Sequence, residues 1–338
     1  MIQKAFSIII LLILFLFTPA CNQLPRYECL EGSALGTTYA ITFRIPPDAP
    51  SGFTANAEQK LTAAFEMINN SMSIYNNHSL IHKINHNISQ ETDSLFRIVY
   101  QRSLEITTLT GGAFDISAAP LFDLWGFGFE NKDTIRKESL AEVKEYTGMD
   151  KFRLEGTLLY KADPRCRLSM NAIAKGFTCD LIAGELSAFG IEDMLVEIGG
   201  EIACKGLNPK KKPWRIGIDN PVDGNIHPGE MIQAVIIMTD KGLATSGNYR
   251  NYYIENGQKF AHIIDPVSGL PVNHNLLSAT VIASDCMTAD AFATAFMVMG
   301  LEASIAFLKQ HSELGAYLIY DQNGVFGTYA TDNIIIEL

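Results

Sequence analysis

Between residues 194 and 284 the chain breaks into seven short β runs, at 194–198, 201–205, 214–219, 231–239, 249–254, 259–264 and 276–284. Turn signals separate them, among them Gly199-Gly200, Asn220-Pro221 and Pro266-Val267-Ser268-Gly269. Helical patterning lies mostly to either side of this block. Residues 57–71 put Ala57, Leu61, Ala64, Phe65 and Ile68 at helical spacing, so one face is buried. Further helices are predicted over 93–109, ending at Gly111-Gly112, and over about 171–189, stopping before Gly190. Residues 33–45 read as a strand; helices at 287–299 and 302–310 and a hairpin over 315–330 close the chain. Such an order is α+β and not regular βαβ, which sets aside a doubly wound nucleotide-binding fold. The expectation is one large domain of mixed or antiparallel β-structure with packed helices, without a fixed-period repeat or a Pro/Ser-rich linker.

With 338 residues, 47% hydrophobic and 19% charged, the chain has a globular composition and ample material for a core. Lys and Arg number 26 against 37 Asp and Glu, a net charge of −11, which argues against phosphate-driven nucleic-acid binding. The first twenty residues differ from the rest: Lys4 precedes an unbroken apolar run over 8–17, and Thr18-Pro19-Ala20 leads into Cys21. Ten apolar residues are too few to span a bilayer but suit a secretory signal. A Cys after a small residue there points to lipoprotein processing, with residues 1–20 removed, Cys21 lipidated and the mature protein exported on a lipid anchor. An ordinary signal cut nearby is the alternative. Loss of residues 1–20 removes only Lys4, which takes the charge from −11 to −12. The other cysteines, at 29, 166, 179, 204 and 286, form no C-x-x-C pair, so zinc is disfavoured, and either one or two disulfides or buried thiols fit.

Several segments gather glycine, carboxylate and helix-end residues. In Gly111-Gly112-Ala113-Phe114-Asp115 the glycines let backbone approach a ligand, and Asp115 could accept from a ring N–H or a ribose; a helix end with an Asp cap is the plain reading. Asn171-Ala172-Ile173-Ala174-Lys175-Gly176 sets a Lys in a small-residue helix, where it meets either a phosphate or solvent. Glu197-Ile198-Gly199-Gly200-Glu201 reads as a tight turn between strands. Asp290 and Thr294 are four apart on a predicted helix, so a carboxylate and a hydroxyl share a face as hard oxygen ligands for Mg²⁺ or Ca²⁺, or else cap the helix start. His262 and Asp265 flank a rigid turn and could act as an acid/base pair.

Taken together these segments resemble the ApbE family of FAD:protein FMN transferases. The motifs are Met72-Ser73-x-Tyr75, GGAFDISAAPLFDLWGFG at 111–128, NAIAKG at 171–176, VEIGGE at 196–201, ATSGNYRNYY at 244–253, HIIDPVSGLP at 262–271 and ADAFATAF at 289–296. The resemblance implies one domain over 28–338 in an exported enzyme that cleaves FAD at its diphosphate. FMN then passes as a phosphoester to a Thr or Ser of an exported acceptor protein, such as a redox-pump subunit, and AMP is released. By motif, Leu35, Tyr75, Ala113, Phe114, Asp115, Lys175 and Ile264 contact the flavin nucleotide. Ser169 takes a ligand position where many members carry Asp. Mg²⁺ is assigned to Asp290, Thr294 and the Ala172 carbonyl, and acid/base work to His262 with Asp265. A diphosphate on an acidic protein needs a bridging cation, and phosphoryl transfer to a partner's hydroxyl needs no internal nucleophile. A metal-dependent FAD pyrophosphatase and a non-enzymatic flavin carrier are the alternatives.

Overall fold

The computed structural model describes residues 25–126, 139–222, 229–247, 252–255, 258–261 and 263–337. Expectations for residues 1–20, Cys21 and His262 lie outside them. The chain begins with strands β1 (Tyr27–Ala34) and β2 (Thr37–Arg44) and helix α1 (Phe53–Met72). Helices α2 (Leu80–Asn85), α3 (Ser94–Leu109), α4 (Ala119–Leu124) and α5 (Leu140–Glu145) follow, then the hairpin β3 (Phe152–Glu155) and β4 (Leu158–Lys161) and helix α6 (Ala174–Ala188). Next come β5 (Met194–Ile198), β6 (Glu201–Lys205), β7 (Trp214–Asp219), β8 (Ile232–Met238), β9 (Lys241–Gly247), β10 (Tyr252–Glu255), β11 (Gln258–Ala261) and β12 (Leu276–Ala283). Helix α7 (Cys286–Leu308) and strands β13 (Gly315–Gln322), β14 (Val325–Ala330) and β15 (Ile335–Glu337) complete it.

Eight strands form one sheet in the order β1-β2-β5-β6-β9-β12-β13-β14, with every neighbouring pair antiparallel. The α+β expectation therefore holds. Helices pack on one face of this sheet, and a three-stranded sheet, β15-β8-β7, packs on the other. Alternate residues of the central strands serve the two layers. Ala279 and Val281 of β12 and Ala316 and Leu318 of β13 join the helical core, whereas Ile282, Tyr317 and Ile319 face the small sheet. Burial on both faces is why these strands read as near-continuous apolar runs.

Where the local pattern was strong, the elements match it. Ala57, Leu61, Ala64, Phe65 and Ile68 are all buried on α1. The Asp93 side chain caps α3 by accepting the Phe96 N–H at 2.7 Å. The two helices expected at 287–299 and 302–310 are the halves of α7, parted at Gly300, whose φ of 78° and ψ of 178° are not helical. By length and hydropathy α7 could cross a bilayer, but over half of its most apolar stretch is buried in the fold. The single strand expected over 33–45 is instead a hairpin: Leu35 (φ 53°) and Gly36 (φ 77°) both turn left-handed and reverse the chain. Strand β9 was not expected at all. All five described cysteines are free thiols, Cys29 exposed and Cys166, Cys179, Cys204 and Cys286 buried.

Helix α7 lies directly on β9. A Cβ at Gly242 would run into the backbone of Asp285 and Cys286 at the first turn of α7. Gly242→Ala should therefore push the helix off the sheet and lower stability by about 1–3 kcal/mol, the usual range for an overpacked core. Urea unfolding of the variant checks this; an unchanged midpoint would show that strand and helix separate without cost.

Candidate active site

Helices α6 and α7 cap one another. Asp180, on α6, takes the N–H groups of Cys286 and Met287 at 2.8 Å each. Asp285 takes the Thr288 N–H, also at 2.8 Å, so three of the four open donors of α7 are met by carboxylates. In return Asp290, on α7, accepts the Gly176 N–H at 3.0 Å in the first turn of α6, whose own N-cap residue Ile173 offers no side-chain bond. The helices can come this close because a Cβ at Gly176 would strike the Cys286 carbonyl and the Asp290 side chain. Asp290 is only 3% exposed, and its charge faces the positive end of α6. One turn further along α7, the Thr294 hydroxyl lies 3.4 Å from that of Ser246 on β9.

Lys175 and Glu201 complete the charged wall. The Gly199-Gly200 turn, with φ of 64° and 101°, reverses β5 into β6 and is tied by the Gly200 N–H to the Glu197 carboxylate. Glu201 thereby enters β6 buried, with Oε1 accepting from Lys175 Nζ at 2.5 Å and Oε2 without a partner among the described residues. Burial pushes the Glu201 carboxyl up, the Lys175 charge opposes this, and Asp290 adds to the rise. Burial works against the Lys175 charge, but Asp290 and Glu201 together hold its ammonium above the ordinary lysine range.

A cavity of about 560 Å³ opens against this wall. It is lined by Tyr75, Ala113, Phe114, Asp115, Ser169, Ala172, Lys175, Ile264, Asp290 and Thr294, ten of the residues singled out by motif. Gly111 (φ 60°) and Gly112 (φ 91°) turn the chain out of α3 so that the Ala113-Phe114-Asp115 backbone reaches the cavity. Asp115 is raised by burial, against which the Ser117 and Met149 groups supply stabilising hydrogen bonds. Its Oδ1 takes the Ser117 N–H at 2.7 Å. Leu35 lines an adjoining cavity of about 850 Å³, which shares Tyr75, Asn171 and Lys175 with the first. The two form one cleft with Lys175 at the junction.

Asp265 is placed differently from the acid/base role suggested by its sequence neighbours. Its carboxylate takes the Val267 and Ser268 N–H groups at 2.9 and 3.2 Å, holding the Pro266-Val267-Ser268-Gly269 turn, and the cavity is lined by its neighbours Ile264 and Pro266 instead. Glu201 escaped notice as a site residue. The available signal was a glutamate directly before the apolar run Ile202-Ala203-Cys204, where a charge must either be buried with a partner or break the strand.

Among the described residues, no group of three or more His, Cys, Asp or Glu side chains is arranged to hold a metal. The same cavity lining offers hard oxygens: Asp290 Oδ1, which has no hydrogen bond among the described residues, the Thr294 hydroxyl and the backbone of Ala172. The chemistry of that set suits a Mg²⁺-like cation that keeps part of its water shell.

The sequence profile of the ApbE family matches residues 35–318. A FAD:protein FMN transferase of Vibrio cholerae is 35% identical over 326 residues, covering 94% of this chain and 95% of that protein. One of Haemophilus influenzae is 34% identical over 337 residues, covering 96% of each. Among solved structures, the flavin transferase ApbE from Vibrio cholerae superposes with a TM-score of 0.80 at 32% identity, over 91% of this chain and 98% of that one. The apo form of the Pseudomonas stutzeri flavinyl transferase ApbE gives a TM-score of 0.81 at 28% identity, over 91% and 95%.

The cross-capping has a pH signature. Burial raises the Asp180 carboxyl from 3.8 to about 7, with Asp285 and Asp290 adding to the rise and the two backbone N–H bonds opposing it. A raised carboxyl stabilises the fold fully at acid pH and loses that contribution as pH climbs through the folded-state value. The stability difference between wild type and Asp180→Asn should therefore shrink from about pH 4 to about pH 7 and level off above, with a slope of up to ~1.4 kcal/mol per pH unit. Urea unfolding of both proteins across that range checks it; a constant difference would mean that Asp180 titrates normally.

Proposed function

The chain belongs to the ApbE family and is a flavin transferase, and we propose that its cleft cleaves FAD at the diphosphate, passes FMN to a Thr or Ser of an acceptor protein and releases AMP. The observation that carries this reading is the meeting of Lys175, Asp290, Thr294 and the Ala113-Phe114-Asp115 backbone in one cavity. A dinucleotide has two aromatic ends and a charged middle. The cleft answers with two lobes and with Lys175 at their junction, where an ammonium can sit on a phosphate oxygen. Tyr75, 72% exposed and shared by both lobes, offers a ring for stacking.

Asp290, Thr294 and the Ala172 carbonyl are the residues we assign to Mg²⁺, which when bound would neutralise charge on the diphosphate oxygens. The acceptor hydroxyl attacks the phosphorus on the FMN side, the bond to the AMP phosphate breaks, and the hydroxyl proton passes to a base, for which His262 is the candidate. The chain itself supplies orientation and charge placement, with no covalent intermediate required. Asp115 would receive a donor from the bound flavin nucleotide, adding to the hydrogen bonds from Ser117 and Met149 that already offset the burial of its carboxyl. We further propose that the protein is exported and held to a membrane by lipid on Cys21.

Asp290→Asn keeps an oxygen for the Gly176 N–H but removes the charge. It should abolish FMN transfer at ordinary Mg²⁺ concentrations, with partial rescue by excess Mg²⁺ or by Mn²⁺, while the metal-free melting temperature holds. The assay incubates purified protein with FAD, Mg²⁺ and a candidate acceptor and weighs the acceptor. A gain of one FMN supports transfer, whereas AMP release without that gain would make the protein a pyrophosphatase. Equal loss of stability and activity, unrescued by metal, would reduce Asp290 to a helix cap.

For the anchor, Cys21→Ser should give a soluble exported protein that keeps its activity. A variant that still sediments with membranes would remove lipid from the account.

A further inference from the structure

Three charges meet on the cavity wall, two of them buried carboxylates and the third a half-buried lysine, and their hydrogen bonds are sorted. Lys175 is attracted by both Asp290 and Glu201, yet its Nζ donates to Glu201. Asp290 instead spends Oδ2 on the Gly176 N–H, and its Oδ1 has no hydrogen bond among the described residues. Glu201 is 4% exposed, and its Oε2 is buried with no hydrogen-bond partner among the described residues. An ion pair built for stability alone would satisfy both carboxylate oxygens, because a buried unpaired oxygen carries its full desolvation cost. Here that cost is accepted at a position lining the cavity. The backbone also fixes Glu201 firmly: it is the first residue of β6, it pairs with Ile198 across the hairpin, and the preceding turn is pinned to Glu197.

We propose that Glu201 is a positioning residue that holds the Lys175 ammonium away from Asp290, so that Asp290 stays open to a divalent cation while Lys175 stays aimed at the phosphates of the ligand. Without the Glu201 charge, Asp290 is the other buried anion acting on Lys175, and the two would close into an ion pair. That pair would occupy the carboxylate the cation needs and withdraw the ammonium from the junction of the two lobes. One anion thus serves as partner to the lysine so that the other can serve the metal. This inference rests on the flavin-transfer reading above.

The test compares wild type, Glu201→Gln and Glu201→Asp for FMN transfer over a Mg²⁺ titration, and for the rise in melting temperature that Mg²⁺ alone produces without FAD. In Glu201→Gln the Mg²⁺ concentration giving half-maximal transfer should rise about tenfold or more, as for the loss of one charge contact. The Mg²⁺-induced rise in melting temperature should shrink in parallel, the metal-free melting temperature should hold or increase, and Glu201→Asp should recover part of the Mg²⁺ response. Unchanged Mg²⁺ dependence in both measurements would overturn the proposal, as would a fall in maximal rate that simply follows a fall in metal-free melting temperature. If the wild type transfers no FMN at any Mg²⁺ concentration, the flavin-transfer reading fails, and the melting-temperature comparison still decides the role of Glu201.

Discussion

Two helices that begin side by side in the core must each satisfy N–H groups that no preceding turn can take. In this protein each helix supplies the carboxylate for the other: Asp180 of α6 serves Cys286 and Met287, and Asp290 of α7 serves Gly176. The exchange works only at close range, which is why glycine stands at 176, where a side chain would collide with α7. Gly242 plays the same part on the other side, letting β9 slide under the first turn of α7. Once α6, α7 and β9 are locked in this way, Lys175, Asp290, Thr294 and Ser246 have no freedom left in their placement. The cavity is a consequence of that lock.

The same lock sets the electrostatics. Asp290 sits in the field of the α6 N-terminus, whose open N–H groups favour an oxygen acceptor there. Lys175 lies in the first turn of α6, beside the Gly176 that Asp290 caps, and Glu201 arrives from the β5–β6 hairpin to engage it. An acidic protein thereby builds a local site with positive and negative groups held apart, suited to a ligand whose charged centre carries two phosphates. Less polar surroundings flank that charged junction, Leu35 and Phe65 in one lobe and Phe114, Phe122 and Met297 in the other.

Much of this was legible from local patterning. The buried face of α1, the Asp93 cap of α3, the strands at 194–198, 201–205 and 214–219 and the break of α7 at Gly300 all follow from residues within a few positions of one another. The misses share a cause. Residues 241–247 contain two glycines and few β-branched side chains, so strand β9 exists because β6 and β12 pair with it from either side. The hairpin corner at Leu35 was hidden because a leucine with positive φ is not a turn signal. Asp265 was placed beside a histidine by sequence, but its oxygens are taken by the turn that follows it.

By itself the sequence determined the fold class, the run of motifs that belongs to the ApbE family and the helix face that presents Asp290 and Thr294 together. Helical and strand periods and turn chemistry act over a few residues, so they can be read along the chain. Only the tertiary structure decided which carboxylate caps a helix, which one pairs with Lys175 and which oxygen is left open. Those outcomes depend on burial and on charges brought together from Asp180, Glu201 and Asp290, residues up to 110 positions apart in sequence, the span from 180 to 290. A carboxylate's task is set by the donors that the fold delivers to it, and no local pattern records where those donors come from.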